Sequence, residues 1–333
     1  MGLGLTGAGD LSQGSLAALS DSQTIPPDSR RVAVIDIGTN STRLLVADVV
    51  ETGIDEVERI STVTRLGRGV DHSGNLSAEA IEDVCEVVGN YLARIDALNA
   101  SPVSVIATSA VRDAANGGAF VAELRERFGL DTQVLGGDRE AELTYLGAIS
   151  GGGRDGTILV CDIGGGSTEV VVGTGGRIEF HASLQLGVVR HTERFLADDP
   201  PTAAQLEALA ADAHARLADV LSGSELPPVD RAIGVAGTPS SLAAVDLALE
   251  PYDPLAVEGH LLEMATVQTW LSRLAAVPLE ERRKVTGIHP DRAQAIVAGL
   301  VILIEVMRTF DLEAIEVSEH DILYGSALAA AAD

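Results

Sequence analysis

Positive charge is what this chain has least of. Against 49 Asp and Glu it sets 23 Lys and Arg, for a formal net charge of −26, and Lys284 is its single lysine. Such a field repels nucleic-acid backbones and anionic lipid headgroups, which excludes a coat for either. A phosphorylated substrate stays open, because a site can be locally positive or bridged by a metal ion. Any cation meeting phosphate here is then an arginine, whose planar fork suits bidentate contact. Cysteine is scarce as well. Cys85 in a helical pattern and Cys161 in a buried strand read as reduced thiols, not as a disulfide or metal site. The seven histidines show no metal-ligand spacing. No apolar run of about 18 residues is present to cross a membrane. No Gly-x-x-x-x-Gly-Lys-Ser/Thr occurs either, which excludes a Walker-type nucleotide site. Residues 1–30, rich in Gly, Ser and Asp, lack a basic start and an apolar core. They read as a flexible tail and not as a secretory signal, consistent with a cytoplasmic protein.

What the chain does have is length and repetition. Its 333 residues suit two ordinary domains. Val32–Ile37, Thr42–Val50 and Asp55–Thr64 read as strands, followed by a helix over Ser77–Leu98 with Ile81, Val84, Cys85, Val88, Leu92 and Ile95 on one face. Strands at Val103–Ala107 and Thr132–Leu135 flank a helix over Ala119–Phe128, and a further helix covers Arg139–Ile149. Ser-Gly-Gly-Gly-Arg-Asp-Gly (150–156) then reads as a linker. The order restarts with strands at Thr157–Asp162, Thr168–Gly173 and Arg177–Leu184. A capping box at Thr202 and Gln205 opens a helix to Leu221, and Ala232–Val235 is a strand. Thr238 reads as the cap of a helix with Pro239 at its first position. Helices over Gly259–Ala275, Arg292–Phe310 and Ile322–Ala331, with a strand at Ala314–Val317, complete the pattern. The expectation is an α/β protein with mixed sheets: domain I over 31–150, domain II over 151–333, and the last helix packing back on domain I. Its ligand site belongs at the strand ends, in a cleft between the halves.

Two hairpins mark that cleft. VAVIDIGTNSTRLLVADV begins at Val32, and ILVCDIGGGSTEVVVGTG repeats its plan 126 residues later. Asp36 matches Asp162, Gly38 matches Gly164, Ser41 matches Ser167 and Thr42 matches Thr168. Glycine at such turns brings backbone amides to one point, a nest for phosphate oxygens. The hydroxyls of Thr39, Ser41, Thr42, Ser167 and Thr168 add donors. Asp36 and Asp162 would repel phosphate unless a divalent cation lies between them and it. Arg43 and Glu169 share one slot, so one half supplies a cation to phosphate and the other a carboxylate to metal or water.

The hairpins resemble the phosphate loops of the superfamily of acetate and sugar kinases, heat-shock ATPases and actin, and Gly234–Ala244 resembles its glycine-rich strand–turn–helix. IATSAVRDAANG (106–117), GDREAELTYLGA (137–148) and CDIGGGSTEVV together are similar to the exopolyphosphatase/guanosine pentaphosphatase (Ppx/GppA) family. That resemblance runs from about Val32 to Gly325. It implies two actin-like domains of ribonuclease H-like form, in a short two-domain member that works as a homodimer.

By the same resemblance Glu140, in a Gly-x-x-Glu-Ala motif, is the general base, and Glu169 is a second catalytic carboxylate. Arg112 contacts substrate phosphate, and Asn40, Ser41 and Gly164 to Thr168 cradle it. Asp162 is the likelier contact for Mg²⁺ or Mn²⁺, with Asp36 the other candidate. The family's late Ser-Glu-Gly-Gly-Leu-Arg-Glu-Gly stretch stands here as SEHDILYG (318–325), with His320 and Asp321 for small residues and Leu323 for the arginine. The implied reaction removes the terminal phosphate of inorganic polyphosphate. The alternative substrate is guanosine pentaphosphate, its nucleoside near Gly237. A kinase or a nucleotide-gated module on the same fold are the other readings, and the Glu140 motif, suited to activating water, opposes the kinase. A long polymer would need an arginine track, for which Arg65, Arg68, Arg139, Arg190 and Arg194 are candidates. Domain closure is expected because the site draws on both halves.

Overall fold

The apolar run Val32–Ile37 is buried on both faces, and it lies at the centre of a sheet as such runs do. The computed structural model describes residues 25, 28–51, 53–153 and 155–332. Of the expected tail, residues 1–24, 26 and 27 fall outside the described residues. The first half comprises β1 (Arg30–Ile37), β2 (Ser41–Val50), β3 (Gly53–Val63), α1 (Ala78–Ala97), β4 (Val103–Ala107), α2 (Gly117–Phe128), β5 (Thr132–Val134) and α3 (Gly137–Ala148). In the second half come β6 (Thr157–Ile163), β7 (Thr168–Thr174), β8 (Arg177–Leu184), α4 (Val188–Phe195), α5 (Ala203–Leu221), β9 (Arg231–Val235) and α6 (Gly237–Asp246). After these follow β10 (Leu261–Glu263), α7 (Met264–Ala275), α8 (Ile296–Thr309), β11 (Ala314–Val317) and α9 (Ile322–Ala332).

Two mixed sheets result. The first has the order β3-β2-β1-β4-β5 and the second β10-β11-β9-β6-β7-β8. In both, an antiparallel hairpin occupies the middle and parallel strands extend from its first strand. The repeat survives to the register. Asp36 pairs with Arg43 and Ile37 with Thr42, while Asp162 pairs with Glu169 and Ile163 with Thr168.

Alternation along β1 decides what covers each face. Ala33, Ile35 and Ile37 join Val84, Val88, Phe120 and Leu124 from α1 and α2 in one core. Val32 and Val34, on the other face, meet Leu323, Tyr324 and Ala327 of α9. Conversely α3, from the first half, sends Ala141, Tyr145 and Ala148 onto Val160, Val171 and Ile233 of the second sheet. Each half thus lends a helix to the other, and the two loaned helices cross closely. A Cβ on Gly147 of α3 would fall 1.9 Å from the Asp321 carbonyl, and one on Gly325 of α9 would fall 1.8 Å from the Leu143 carbonyl. Only glycine admits that approach.

Local chemistry sets most boundaries. Ser77 accepts the Ala80 amide at the start of α1, and Thr202 and Gln205 form the capping box of α5. Three expectations are corrected. The helix expected from Gly259 begins at Met264, because Leu261–Glu263 pairs antiparallel with β11 as an edge strand with only Leu262 buried. Thr238 is not a cap. α6 starts at Gly237 after Ala236, whose φ is 69°, and the Thr238 side chain lies under Gly299. The helix expected from Arg292 begins at Ile296, which leaves Arg292 in a turn. Among the described residues, no helix is long and apolar enough to cross a membrane.

The helix crossing yields a direct test. Gly325→Ala is expected to destabilise the fold by about 1–3 kcal/mol or more, since the added methyl meets backbone that cannot yield. Denaturant unfolding of both proteins measures it, and an unchanged midpoint would contradict the close crossing.

Candidate active site

Both hairpin turns hold their carbonyls outward. Gly38 N–H closes the first turn on the Ser41 carbonyl and Gly164 N–H closes the second on the Ser167 carbonyl, each at 3.0 Å. Gly67 N–H donates to the Thr39 carbonyl at 2.8 Å, and Thr64 and Arg65 N–H to the Asn40 carbonyl at 3.1 and 2.9 Å. In the second loop the start of α4 plays this part. Val188 N–H donates to the Gly164 carbonyl at 3.0 Å and Val189 N–H to the Gly165 carbonyl at 2.9 Å, while Arg190 Nε donates to the Gly166 carbonyl at 3.1 Å. In a trans peptide N–H and C=O point in opposite directions. The amides that follow these carbonyls therefore turn toward the cleft. Asn40, Gly165, Gly166 and Ser167 N–H have no acceptor among the described residues. Four amides facing one space make an anion nest without a formal charge. Glycine is also required where the loops touch. A Cβ on Gly165 would lie 2.9 Å from Thr39 Cβ, and one on Gly166 would lie 2.5 Å from Ser109 Oγ.

Carboxyl groups from β1, β6, β7 and α3 stand behind this nest. Asp36, Asp162, Glu140 and Glu169 are all buried, and all line one cavity of about 120 Å³. Arg43 donates Nε and Nη2 to Asp36 Oδ2 at 2.9 and 2.6 Å and its Nη1 to Asp321. In the second hairpin the same slot carries Glu169, so Asp162 has no cross-strand cation. Glu169 accepts Ser183 Oγ–H at 2.7 Å. Glu140, in the first turn of α3, accepts Arg112 Nη1–H at 2.7 Å, and that nitrogen also donates to the Leu135 carbonyl at 2.9 Å.

Burial without enough cations raises these acids. It pushes Glu140 up to about 7 against the pull of Arg112. Asp162 also rises to about 7, from burial first and the Asp321 charge second. Burial takes Glu169 well above the carboxylate range, aided by Glu140 and Asp162. Asp36 is raised by burial, with Arg43 opposing. At Asp321 burial loses, and Arg43 and Arg59 hold its carboxyl below the usual range.

The donor set fits a hard divalent cation. Asp36 Oδ1 is buried with no hydrogen-bond partner, and Asp162 has no arginine in its cross-strand slot. Among the described residues no three His, Cys, Asp or Glu side chains cluster tightly enough to cage a metal ion. An ion here would complete its shell with water and substrate oxygens, as Mg²⁺ commonly does.

The expected site residues divide by where the fold puts them. Asp36, Gly38, Thr39, Asn40, Ser41, Arg43, Glu140, Asp162, Gly164, Gly165, Gly166, Ser167 and Glu169 all line the cavity. Thr42 and Thr168 do not. Strand alternation turns them inward, where Thr42 meets the Thr64 hydroxyl at 3.0 Å and Thr168 donates to the Leu186 carbonyl. Arg112 stands behind the cavity and touches Glu140, while Arg43 is held by two carboxylates, so neither presents a free cation to phosphate. Of the five expected track arginines four are taken up in ion pairs, and Arg68 stands exposed and does not line the cavity. Arg65 binds Asp291, Arg139 binds Glu142, and Arg190 and Arg194 both bind Asp71.

Two functional candidates escaped the sequence reading. Asp321, in the departing SEHDILYG stretch, anchors Arg43 and accepts the Leu323 amide at 2.9 Å. Arg292 lines the cavity above Gly237, within 3.5 Å of Ser241 Oγ, and no carboxylate among the described residues pairs with it. Burial, together with the neighbouring Arg43 and Arg59, lowers its pKa. The GIHPDRAQ segment that carries Arg292 was legible in the sequence, but its direction was not.

Comparisons with known proteins agree with this arrangement. A family model described as the Ppx/GppA phosphatase family matches residues 45–329. "Exopolyphosphatase 2" of Mycobacterium tuberculosis is 34% identical over 315 residues, covering 90% of this chain and 98% of the relative. A crystal structure of an exopolyphosphatase-like protein superposes with a TM-score of 0.87 at 32% identity, covering 92% of this chain and 98% of that one. A Ppx/GppA family member from Aquifex aeolicus superposes with a TM-score of 0.78 at 31% identity, covering 90% and 97%.

The raised acids also predict a pH dependence. Their folded forms prefer the proton, so the stability they contribute is complete below their ordinary values of 4.5 for Glu140 and 3.8 for Asp162, and is lost as pH rises through about 7. Between about pH 4.5 and 7 the Tm of the ligand-free protein is expected to fall more steeply than that of Glu140→Gln. Parallel Tm-versus-pH curves for the two proteins would contradict the buried-acid assignment.

Proposed function

The chain belongs to the Ppx/GppA phosphatase family and is a phosphoanhydride hydrolase, and from that premise we propose that it removes the terminal phosphate of inorganic polyphosphate with water activated by Glu140. The observation that carries this reading is a buried carboxylate, held by Arg112 and raised to about 7, facing an amide nest across one cavity. A base works best with a pKa near the working pH.

The residues divide the work. Asn40, Gly165, Gly166 and Ser167 amides bind the phosphoryl oxygens, where negative charge is spread in a phosphoryl-transfer transition state. Arg112 fixes one Glu140 oxygen, so the other is directed to the attacking water. Glu169 and Glu140 interact, and one proton shared between them resides on Glu169, whose burial is the deeper. That leaves Glu140 ionised to accept a proton from water. Asp36 and Asp162 would hold Mg²⁺ or Mn²⁺, which when bound neutralises substrate phosphate oxygens. Arg292 supplies a cation free of carboxylates, and the substrate's next phosphate is its natural partner. With Arg65, Arg139, Arg190 and Arg194 ion-paired and Arg68 off the cavity lining, the cleft is suited to a chain end and not to a long polymer track.

A second reading is guanosine pentaphosphate as substrate. It is favoured by the cavity lining that continues past the loops to Ala236, Gly237, Thr238 and Ser241. The bond broken and the residues breaking it would be the same.

The test is phosphate release with Mg²⁺ from polyphosphate and guanosine pentaphosphate, measured side by side. Glu140→Gln is expected to lower kcat by about 10²- to 10⁴-fold on whichever substrate is used. A variant that keeps its activity would move the base to Glu169. Arg292→Ala is expected to raise KM about tenfold, the loss of one charge-assisted contact. An unchanged KM would remove Arg292 from substrate binding.

A further inference from the structure

On the side of the second loop away from the cleft, a single guanidinium gathers acceptors from three separate segments. Arg190 donates Nε–H to the Gly166 carbonyl at 3.1 Å, Nη2–H to Asp113 at 2.7 Å and Nη1–H to Asp71. Gly166 and Arg190 belong to the second half of the chain. Asp71 and Asp113 belong to the first, in the short helical turns Val70–Ser73 and Ser109–Asp113. The Arg190 side chain is only 15% exposed, which shelters these contacts from water. Ser109 reinforces the arrangement. Its hydroxyl donates to Asp113 at 3.3 Å and abuts Gly166.

The three loop carbonyls are not held in the same way. Those of Gly164 and Gly165 are held by backbone amides of α4, which lies in their own half and would stay with them if the halves parted. The Gly166 carbonyl is held by a side chain whose other two contacts cross to the first half. Its orientation therefore depends on the halves being together. The peptide it belongs to carries the Ser167 amide, which points into the cleft when the carbonyl points out.

We propose that Arg190 is a positioning residue that couples approach of the two halves to the orientation of the Ser167 amide. Closed, Asp71 and Asp113 fix the guanidinium plane, and its Nε–H fixes the Gly166 carbonyl. Open, the guanidinium loses both anchors and the peptide is free to turn. This deepens the hydrolase reading and rests on it. Lysine cannot replace the residue, because a point-like ammonium lacks the planar fork that reaches three acceptors at once.

The experiment combines kinetics with hydrogen exchange on full-length wild type, Arg190→Gln, Arg190→Lys and Arg194→Gln. Arg194 binds Asp71 at 2.7 Å but no loop carbonyl, so it serves as the comparator. With Mg²⁺ and saturating phosphate in the cleft, Arg190→Gln is expected to speed amide exchange at Gly165–Ser167 relative to wild type, and to lower kcat on polyphosphate at least about tenfold, a step less than losing an oxyanion donor outright. KM and Tm should stay near wild type, a split that general loosening would not produce. Arg190→Lys should not restore the rate, and Arg194→Gln should match wild type in both readouts. Unchanged loop exchange in Arg190→Gln overturns the proposal, as does faster exchange with wild-type kcat. Should Arg190→Gln fail to fold, Asp113→Asn, which keeps side-chain volume, decides by the same two readouts. A wild type inactive on polyphosphate would defeat the polyphosphate reading alone; kcat is then read on guanosine pentaphosphate, and exchange at the loop still reports on Arg190.

Discussion

Everything in the cleft answers to an excess of buried negative charge. Four carboxyl groups converge where the two hairpins meet, and the arginines bound to them, Arg43 and Arg112, reach only two of the four. Isolated buried ions of one sign are costly, so the fold must protonate, pair or bridge them. It does the first two in part. Asp36 is paired through Arg43, Glu140 through Arg112, and Glu169 rises far enough to keep its proton. The remaining imbalance leaves Asp162 without a cationic partner in its own hairpin. A site completed by its ligands is less stable when empty, and that instability is the physical counterpart of its affinity.

The internal repeat explains how such an arrangement arises from simple parts. One hairpin, used twice, places an aspartate at each first-strand end and a ring of amides at each turn. A single difference in the repeated slot, arginine in one copy and glutamate in the other, breaks the symmetry. Arg43 makes the first copy a neutralised support, anchored through Asp321 to α9. Glu169 makes the second copy an acid beside Glu140. The exchange of helices between the halves then ties the support to the acid, because α3 carries Glu140 and α9 is preceded by Asp321. Gly147 and Gly325 allow those helices to cross at backbone contact.

Much of this was legible residue by residue. Near-continuous apolar runs identified β1 and β6, turn glycines identified the loops, and the match at a constant offset identified them as a pair. Thr42 and Thr168 were counted among the phosphate donors, although strand alternation turns their hydroxyls away from Ser41 and Ser167. The local errors had local causes. Leu261–Glu263 is too short for period-2 alternation to stand out from the helix that follows, and the positive φ of Ala236 displaced the expected cap at Thr238. Arg292 and Asp321 were missed for a different reason. Nothing in the residues around them says that a turn after Gly287 and the entry to α9 arrive at the same cavity.

The sequence by itself determined the two sheets, the paired loops and the kind of residue at each strand end, because hydrophobic period, glycine and proline act over a few neighbouring positions. Only the tertiary structure decided which charges meet. Whether an arginine contacts phosphate or a carboxylate depends on segments hundreds of residues away, as Arg43 and Asp321 show, and burial depends on the whole packed molecule. Glu140 becomes an acid raised to about 7, and four of the five expected track arginines become ion-paired, because Coulomb interaction and desolvation follow distance in space rather than along the chain.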